Sequence, residues 1–294
     1  MDGTGSSSSD GADFAASVSF QHYDRRSLTY ANTFTNPLKS NTIRAMEWMT
    51  GKVSILRMIR RFEQRGAPQG SAFWTAALDV MGIPLLTPAE QLQNIPEEGP
   101  VVLVANHPHG LVDGMVLAEL ISRRRDDYKI LTRSLLTGLD EIASQFLIPV
   151  PFPHEQDAQR KNVEMRTAAM RQLGEGGAIG LFPSGAVAAS KTMFGPAVEG
   201  EWNVFSSKMI RRSGAHVVPV FFPGQNSRWY HMANQISPTL RQGLLLHEVL
   251  HSCNKPQAPV IGRAISPDEI AARTENPRDF IAWLRAETLA LRGS

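Results

Sequence analysis

From Pro100 onward the chain alternates short, almost wholly apolar runs with longer stretches of helical character. The runs are "VVLVAN" (Val101–Asn106), "YKILTR" (Tyr128–Arg133), "IPVPF" (Ile148–Phe152), "AIGLFPSG" (Ala178–Gly185) and "HVVPVFF" (His216–Phe222). A run that is apolar at nearly every position belongs to a strand covered on both faces. Between the runs stand "DGMVLAELISRRR", "LLTGLDEIASQFL", "DAQRKNVEMRTAAMRQLGEGG" and "NVFSSKMIRRSG", each read as a helix. This order predicts an α/β fold, a mainly parallel sheet flanked by helices, with its reactive groups in loops beyond the strand ends. Farther on, "SPTLRQGLLLHEVLHSC" reads as one helix and "PVIGRAIS" as an extended piece. Ser266 with Glu269 forms a capping box for a helical C-terminus.

Ahead of this region lies "NTIRAMEWMTGKVSILRMIRRFEQRG", Asn41 to Gly66. Ile43, Met46, Met49, Val53, Leu56, Ile59 and Phe62 recur at helical steps, with a break near Thr50-Gly51. Arg44, Lys52, Arg57, Arg60, Arg61 and Arg65 outnumber Glu47 and Glu63. Two readings stand: a basic amphipathic helix lying in a membrane interface, or a helix packed on the core with a solvated basic face. "SAFWTAALDVMGIPLL" reads as a second helix running into a short extended piece. The expected organisation is a polar, Gly/Ser-rich flexible tail over residues 1–40, with no signal-peptide pattern. A helical, membrane-associating segment follows over 41–90, and an α/β domain over 91–294.

Composition narrows the function classes. A formal charge of +2 with 20% charged residues gives no global attraction to nucleic acid. The single cysteine, Cys253, excludes an internal disulfide and fits a reducing compartment; it reads as a small buried residue. No run reaches the roughly 18 apolar residues of a membrane span. The expectation is a cytoplasmic protein, peripheral at the inner face of the plasma membrane.

The chemistry gathers where the first strand ends, in "ANHPHGLVDG", Ala105 to Gly114. His107 follows Asn106, Pro108 and Gly110 make an irregular loop, and Asp113 arrives at the start of the next helix. A histidine oriented by a carboxylate is a general base: the carboxylate fixes the tautomer and stabilises the imidazolium. There is no G-x-S-x-G elbow to supply a serine nucleophile. A base without a nucleophile of its own implies that the substrate brings the hydroxyl, as in direct acyl transfer.

"NHPHGLVDG", "GAIGLFPSGAVA" and "VVPVFFPGQNS", in that order, resemble the glycerolipid acyltransferase superfamily that includes the 1-acyl-glycerol-3-phosphate acyltransferases. The branch most similar is that of the hemolysin-like acyltransferases and the O-acyltransferases of ornithine-lipid and related aminolipid synthesis. "TLRQGLLLHEVL" resembles a further segment of that branch, and the likeness runs from about Thr42 to Ser266. It implies that His107 is the base and Asp113 its orienting carboxylate. Five residues separate the two here, against four in the commoner superfamily pattern. His109 stands four residues before Asp113 and remains an alternative base, a loop residue or a substrate contact. The resemblance also places Asn106, His109 and Gly110 of the first block at the substrate site. Phe182, Pro183, Ser184 and Gly185 of the second block and Pro219 and Asn226 of the third join them, though Pro219 also reads as a shaper of the strand end. Backbone N–H groups of the "PHG" and "PSG" loops are candidate oxyanion donors.

The acceptor is read from what is missing. Glycerol-phosphate members carry Phe-Pro-Glu-Gly-Thr-Arg-Ser in the second block; here Ser184 replaces the Glu and Val187 the Arg. A phosphomonoester is gripped best by a bidentate guanidinium. The loss implies a lyso-aminolipid of the ornithine-lipid type, an amino acid N-acylated by a 3-hydroxy fatty acid whose hydroxyl receives the second chain. A 1-acyl-glycerol-3-phosphate or other lysophospholipid is the alternative. Arg133, with Lys191 as a weaker candidate, could meet a headgroup anion. The implied donor is an acyl thioester on coenzyme A or acyl carrier protein, with no metal or other cofactor. Two competing readings remain. "HEVLH", His247 to His251, matches the H-E-x-x-H zinc-protease pattern but lacks a third ligand in a recognised context. The altered "FPSG" block keeps open a non-catalytic lipid-binding protein.

Overall fold

A computed structural model describes residues 28–34, 36–66, 68, 70, 72–133, 145–151, 157–273 and 276–293. Of the flexible tail expected over residues 1–40, residues 1–27 lie outside the described residues, whereas Leu28, Thr29 and Ala31 are buried and a helix starts at Pro37. Most of the helix expected over residues 135–147 also lies outside the described residues.

Three helices come first: α1 (Pro37–Thr50), α2 (Lys52–Gln64) and α3 (Ala72–Met81). The alternating region then gives β1 (Val101–Ala105), α4 (Leu111–Ser122), β2 (Tyr128–Arg133), β3 (Leu147–Val150), α5 (Ala158–Gly174) and β4 (Ala178–Leu181). A two-stranded hairpin, β5 (Ala189–Ser190) and β6 (Ala197–Val198), precedes α6 (Val204–Ser213) and β7 (His216–Phe221). The chain ends with α7 (Arg228–Ile236), α8 (Pro238–Gly243), α9 (Leu245–Ser252), β8 (Val260–Ile261), α10 (Pro267–Ala271) and α11 (Pro277–Ala290).

The main sheet has six strands in the order β3-β2-β4-β1-β7-β8. All neighbours are parallel except β7 and β8. This is the mainly parallel, helix-flanked sheet that the apolar runs predict. β1 lies at its centre, buried along its whole length, and its pleat divides it between two cores. Val101, Leu103 and Ala105 face a cluster with Trp74, Leu117 and Ile121, while Val102 and Val104 face one with Met209, Phe280 and Leu284. All parallel strands end on one edge, so the loops after β1, β2, β4 and β7 converge there.

The N-terminal stripe packs inward for much of its length. Ile43 and Phe62 are buried, with Leu56 and Ile59 partly so; Phe62 meets Phe73 edge-on at 5.1 Å, and Trp74 Nε1 donates to Tyr128 Oη at 2.7 Å. Met49 is 78% exposed and stands with exposed Leu38, Trp48 and Val53. Two charges depart from the expected solvated face. Glu47 is fully buried, accepting from Thr29 Oγ1 and the Tyr30 N–H, and burial raises its pKa. Lys52 is buried beside it, and desolvation lowers its pKa. The expected single helix over Ser237–Cys253 is two helices. The break follows Gly243, against which Met46 packs so closely that an added methyl would lie 3.1 Å from its sulfur. The capping box at α10 is formed as expected, Ser266 Oγ accepting from the Glu269 N–H and Glu269 from the Ser266 N–H.

Truncating the central strand tests this packing. Leu103→Ala should lower the unfolding free energy by about 2–5 kcal/mol, read from urea denaturation.

Candidate active site

β1 stops at Ala105, and the next two residues are fixed by their surroundings. The Asn106 amide closes a two-bond clamp on the strand end of β7: Nδ2 donates to Phe222 O at 2.8 Å, and Oδ1 accepts from the Phe222 N–H at 2.7 Å. Its place is that of a strap between loops, and both ends of the amide are occupied by protein. The His107 N–H donates to Glu199 Oε2 at 3.1 Å, and its carbonyl accepts from the Ala188 N–H at 2.8 Å. Glu199 is buried and takes a second bond from Trp202 Nε1. The position of this imidazole is therefore set from both sides of its own backbone.

Gly110, at φ 78° and ψ −124°, turns the chain into α4 in a conformation that a side chain rarely adopts. That turn brings Asp113 back onto the loop. Its carboxylate has no exposed surface and gathers four donors. Oδ2 lies 2.9 Å from His107 Nδ1, 2.8 Å from the His109 N–H and 3.0 Å from the Gly110 N–H, and Oδ1 lies 3.0 Å from His109 Nδ1. Burial alone would raise the Asp113 pKa; the electrostatic attraction of His109 and the hydrogen bonds from both imidazoles overcome it and hold the carboxyl below its ordinary value. An ionised carboxylate only accepts, so each imidazole carries its proton on Nδ1 and presents Nε2 as the basic nitrogen.

The two histidines differ in what covers Nε2. Gly224 lies against His109 so tightly that an added methyl would sit 2.9 Å from His109 Nε2. His107 has the more open side chain, 17% exposed against 9%, and its ring stacks on Phe182 at 4.0 Å between centroids. The geometry favours His107 as the base and His109 as a second donor to the carboxylate.

The other expected residues fall into two groups. Phe182, Pro183, Ser184 and Gly185 form a turn beside His107, closed by the Gly185 N–H to Phe182 O at 3.0 Å. The Ser184 hydroxyl donates to Ala186 O at 2.9 Å. Arg133, at the end of β2, reaches this turn, its guanidinium donating to Gly185 O at 2.8 Å and Pro151 O at 3.3 Å. Pro219 stands apart, buried inside β7 in register with Val104 and packed on Gly262. Asn226 is buried, and neither end of its amide has a hydrogen-bond partner among the described residues. Of the expected oxyanion donors, the N–H groups of His109 and Gly110 serve Asp113 and that of Gly185 serves Phe182, which leaves the Ser184 N–H as the candidate in these two loops. Glu199, far along the chain, carried no signal of its role, since one more acidic residue in a loop looks like any other.

The "HEVLH" segment forms no catalytic arrangement of the H-E-x-x-H kind. Glu248 is fully buried and accepts from the Ser227 N–H at 2.7 Å and the Ser227 hydroxyl at 2.6 Å, fixing the start of α7. His247 Nδ1 lies 3.3 Å from Thr50 O, and His251 Nε2 lies 2.9 Å from Lys255 Nζ. Burial, then the Lys255 charge, lowers the His251 pKa. Among the described residues no group of three His, Cys, Asp or Glu side chains is placed to hold a metal.

Comparison with known proteins gives a consistent family. A family model described as Acyltransferase matches residues 39–248. The lyso-glycine lipid O-acyltransferase of Phocaeicola vulgatus is 28% identical over 203 residues, 66% of this chain and 69% of that protein. The lyso-glycine lipid O-acyltransferase of Bacteroides thetaiotaomicron is 31% identical over 165 residues, spanning 55% of this chain and 54% of the relative. The crystal structure of the 1-acyl-sn-glycerophosphate (LPA) acyltransferase PlsC of Thermotoga maritima superposes with a TM-score of 0.50 at 12% identity, over 90% of this chain and 84% of that one, a likeness of fold.

The depressed Asp113 pKa fixes a pH dependence. Its contribution to stability is present above the ordinary carboxylate pKa and is lost as pH falls through the lower folded value. Urea melts across that acid range should show wild type losing stability relative to Asp113→Asn as the pH drops. Parallel curves for the two proteins would contradict the assignment.

Proposed function

This chain belongs to the acyltransferase family, and on that premise we propose that it moves a fatty acyl group from an acyl thioester to the free hydroxyl of a lyso-aminolipid. The acceptor is an amino acid N-acylated by a 3-hydroxy fatty acid, and the product carries the second chain as an ester. The observation that carries the reading is the His107–Asp113 pair, 2.9 Å apart, with the His107 ring stacked on Phe182.

Asp113 holds the Nδ1 proton, and Nε2 of His107 takes the proton of the acceptor hydroxyl. The oxygen then bonds to the thioester carbonyl carbon. The tetrahedral intermediate collapses, the C–S bond breaks, and the leaving sulfur takes the proton from the His107 imidazolium, so that thiol departs and the neutral base is restored. Thiolate is a good leaving group, so coenzyme A or acyl carrier protein serves as co-substrate and the scheme uses no further cofactor. Ser184, the hydroxyl of the "FPSG" turn, donates to Ala186 O and has no part as a nucleophile in this scheme.

Headgroup choice rests on the same turn. Val187 and Ser184 replace the residues with which glycerol-phosphate members grip a phosphate, while Arg133 reaches the turn and suits a single carboxylate. Both curated relatives are named for a lyso-glycine lipid, which favours a small amino-acid headgroup over ornithine here. The enzyme works peripherally at the cytoplasmic face of the inner membrane, residues 41–90 serving as the membrane-associating segment ahead of the 91–294 catalytic domain. Exposed Trp48 and Met49, with exposed Arg44 and Arg57 on the same pair of helices, support that role. Among the described residues no helix is long and apolar enough to cross a membrane.

Acyl transfer should be assayed with lyso-glycine lipid, lyso-ornithine lipid and 1-acyl-glycerol-3-phosphate, each with acyl-CoA and acyl carrier protein donors. Lyso-glycine lipid should give the fastest transfer. His107→Ala should lose about 10²–10⁴ in rate with the fold intact, and Asp113→Asn a comparable amount by stabilising the wrong tautomer. His109→Ala should keep a measurable rate. Loss of transfer in His109→Ala alone would move the base to that residue.

A further inference from the structure

Exposed bulky side chains among the described residues gather mainly in two places, on α1 and α2 with Leu38, Trp48, Met49 and Val53, and on the β5–β6 hairpin with α7. Of the large hydrophobic residues that stand in solvent, Met193, Phe194 and Val198 belong to the β5–β6 hairpin, and Trp229 and Ile236 to α7. Phe194 is 71% exposed at the tip and Trp229 66% exposed on the helix. Trp229, Met232 and Ile236 lie at helical steps along one face of α7.

These two elements form one rigid unit. The Ser190 N–H donates to His231 Nδ1 at 3.2 Å, and Ser190 O accepts from Gln235 Nε2 at 2.7 Å and Asn234 Nδ2 at 3.3 Å. Arg228 Nη1 donates to Phe194 O at 3.1 Å, and Gln225 Oε1 accepts from the Ala197 N–H. The base of the same hairpin holds the catalytic histidine: Ala188, just before β5, binds His107 O, and Glu199, just after β6, binds the His107 N–H. Two exposed cations, Lys191 and Arg228, flank the apolar tip.

We infer that the β5–β6 tip and the exposed face of α7 are a membrane-docking surface, seated in a bilayer with anionic headgroups beside the mouth of the active site. The inference rests on the lyso-lipid reading and deepens it. A two-chain product and a one-chain acceptor both reside in the bilayer, so the catalytic imidazole must be brought to the interface. Aromatic side chains suit the headgroup boundary, and the flanking cations match anionic lipids. Because the hairpin arms hydrogen-bond to His107 itself, docking the tip sets the height of that imidazole above the lipid.

The test uses the full-length protein with Phe194→Ser and Trp229→Ser, singly and together. Vesicles of phosphatidylcholine and phosphatidylglycerol in equal parts measure binding by flotation. Transfer is measured to an acceptor embedded in those vesicles and to a short-chain acceptor dissolved as monomer. Each substitution should weaken vesicle binding by about tenfold and the pair by about a hundredfold. Transfer to the embedded acceptor should fall in parallel, while transfer to the soluble acceptor stays at the wild-type rate. Binding should also weaken with added salt and on vesicles of phosphatidylcholine alone. Unchanged vesicle binding by the double variant overturns the inference. So does a double variant whose only change is loss of self-association in sedimentation, which makes the surface an interface between copies, or loss of binding to acyl carrier protein alone. A wild-type protein inactive on both acceptors would sink the functional reading, while flotation would still decide the surface.

Discussion

A single carboxylate, Asp113, organises the catalytic end of the molecule. It is removed from water entirely, a position that an unpaired charge could not hold, and four donors make that position tenable. Two are backbone N–H groups, which tie the carboxylate to the shape of the loop. Two are imidazoles, which the carboxylate orients in turn. The left-handed turn at Gly110 makes this possible, since without it the first turn of α4 would carry Asp113 away from its own loop. Strand end, loop and helix start thus become one hydrogen-bonded unit.

That unit is held in place by elements distant in sequence. Asn106 straps the end of β1 to Phe222 after β7, Glu199 and Ala188 fix the His107 backbone, and Phe182 after β4 supports its ring. The parallel sheet accounts for the convergence: strands running the same way deliver their following loops to one edge. The nitrogen proposed to react is therefore positioned by a rigid scaffold. The features proposed to meet the substrate and the bilayer, the "FPSG" turn with Arg133 and the hairpin with its exposed tip, are joined to it by hydrogen bonds and ring contact.

Much of this was legible in the sequence, for identifiable reasons. Runs such as "VVLVAN" and "YKILTR" could be read as strands because burial on both faces removes the ambiguity of alternation. His107 and Asp113 were visible because their loop is short and irregular. What sequence could not show depends on contacts across the fold. α7 escaped notice because "RWYHMANQI" is only nine residues long, and both its buried face, with Tyr230 and Ala233, and its exposed face, with Trp229 and Ile236, carry apolar side chains. The split between α8 and α9 falls at Gly243, where Met46 from α1 makes a close approach that the local sequence does not reveal. Glu47 and Lys52 are buried as neighbours, a placement that a count of charges along a helix cannot reveal. "HEVLH" matched a zinc pattern, yet Glu248 holds Ser227 at the start of another helix. Deciding between His107 and His109 required knowing which Nε2 Gly224 covers.

The central claim is that Asp113 keeps the proton of His107 on Nδ1 and leaves Nε2 free to act as a base. Nitrogen NMR of protein labelled in its histidines, with His107→Gln used to assign the signal, observes this directly. The account predicts a neutral His107 ring protonated at Nδ1 and bare at Nε2. A His107 ring protonated at Nε2 in the wild-type protein would contradict it.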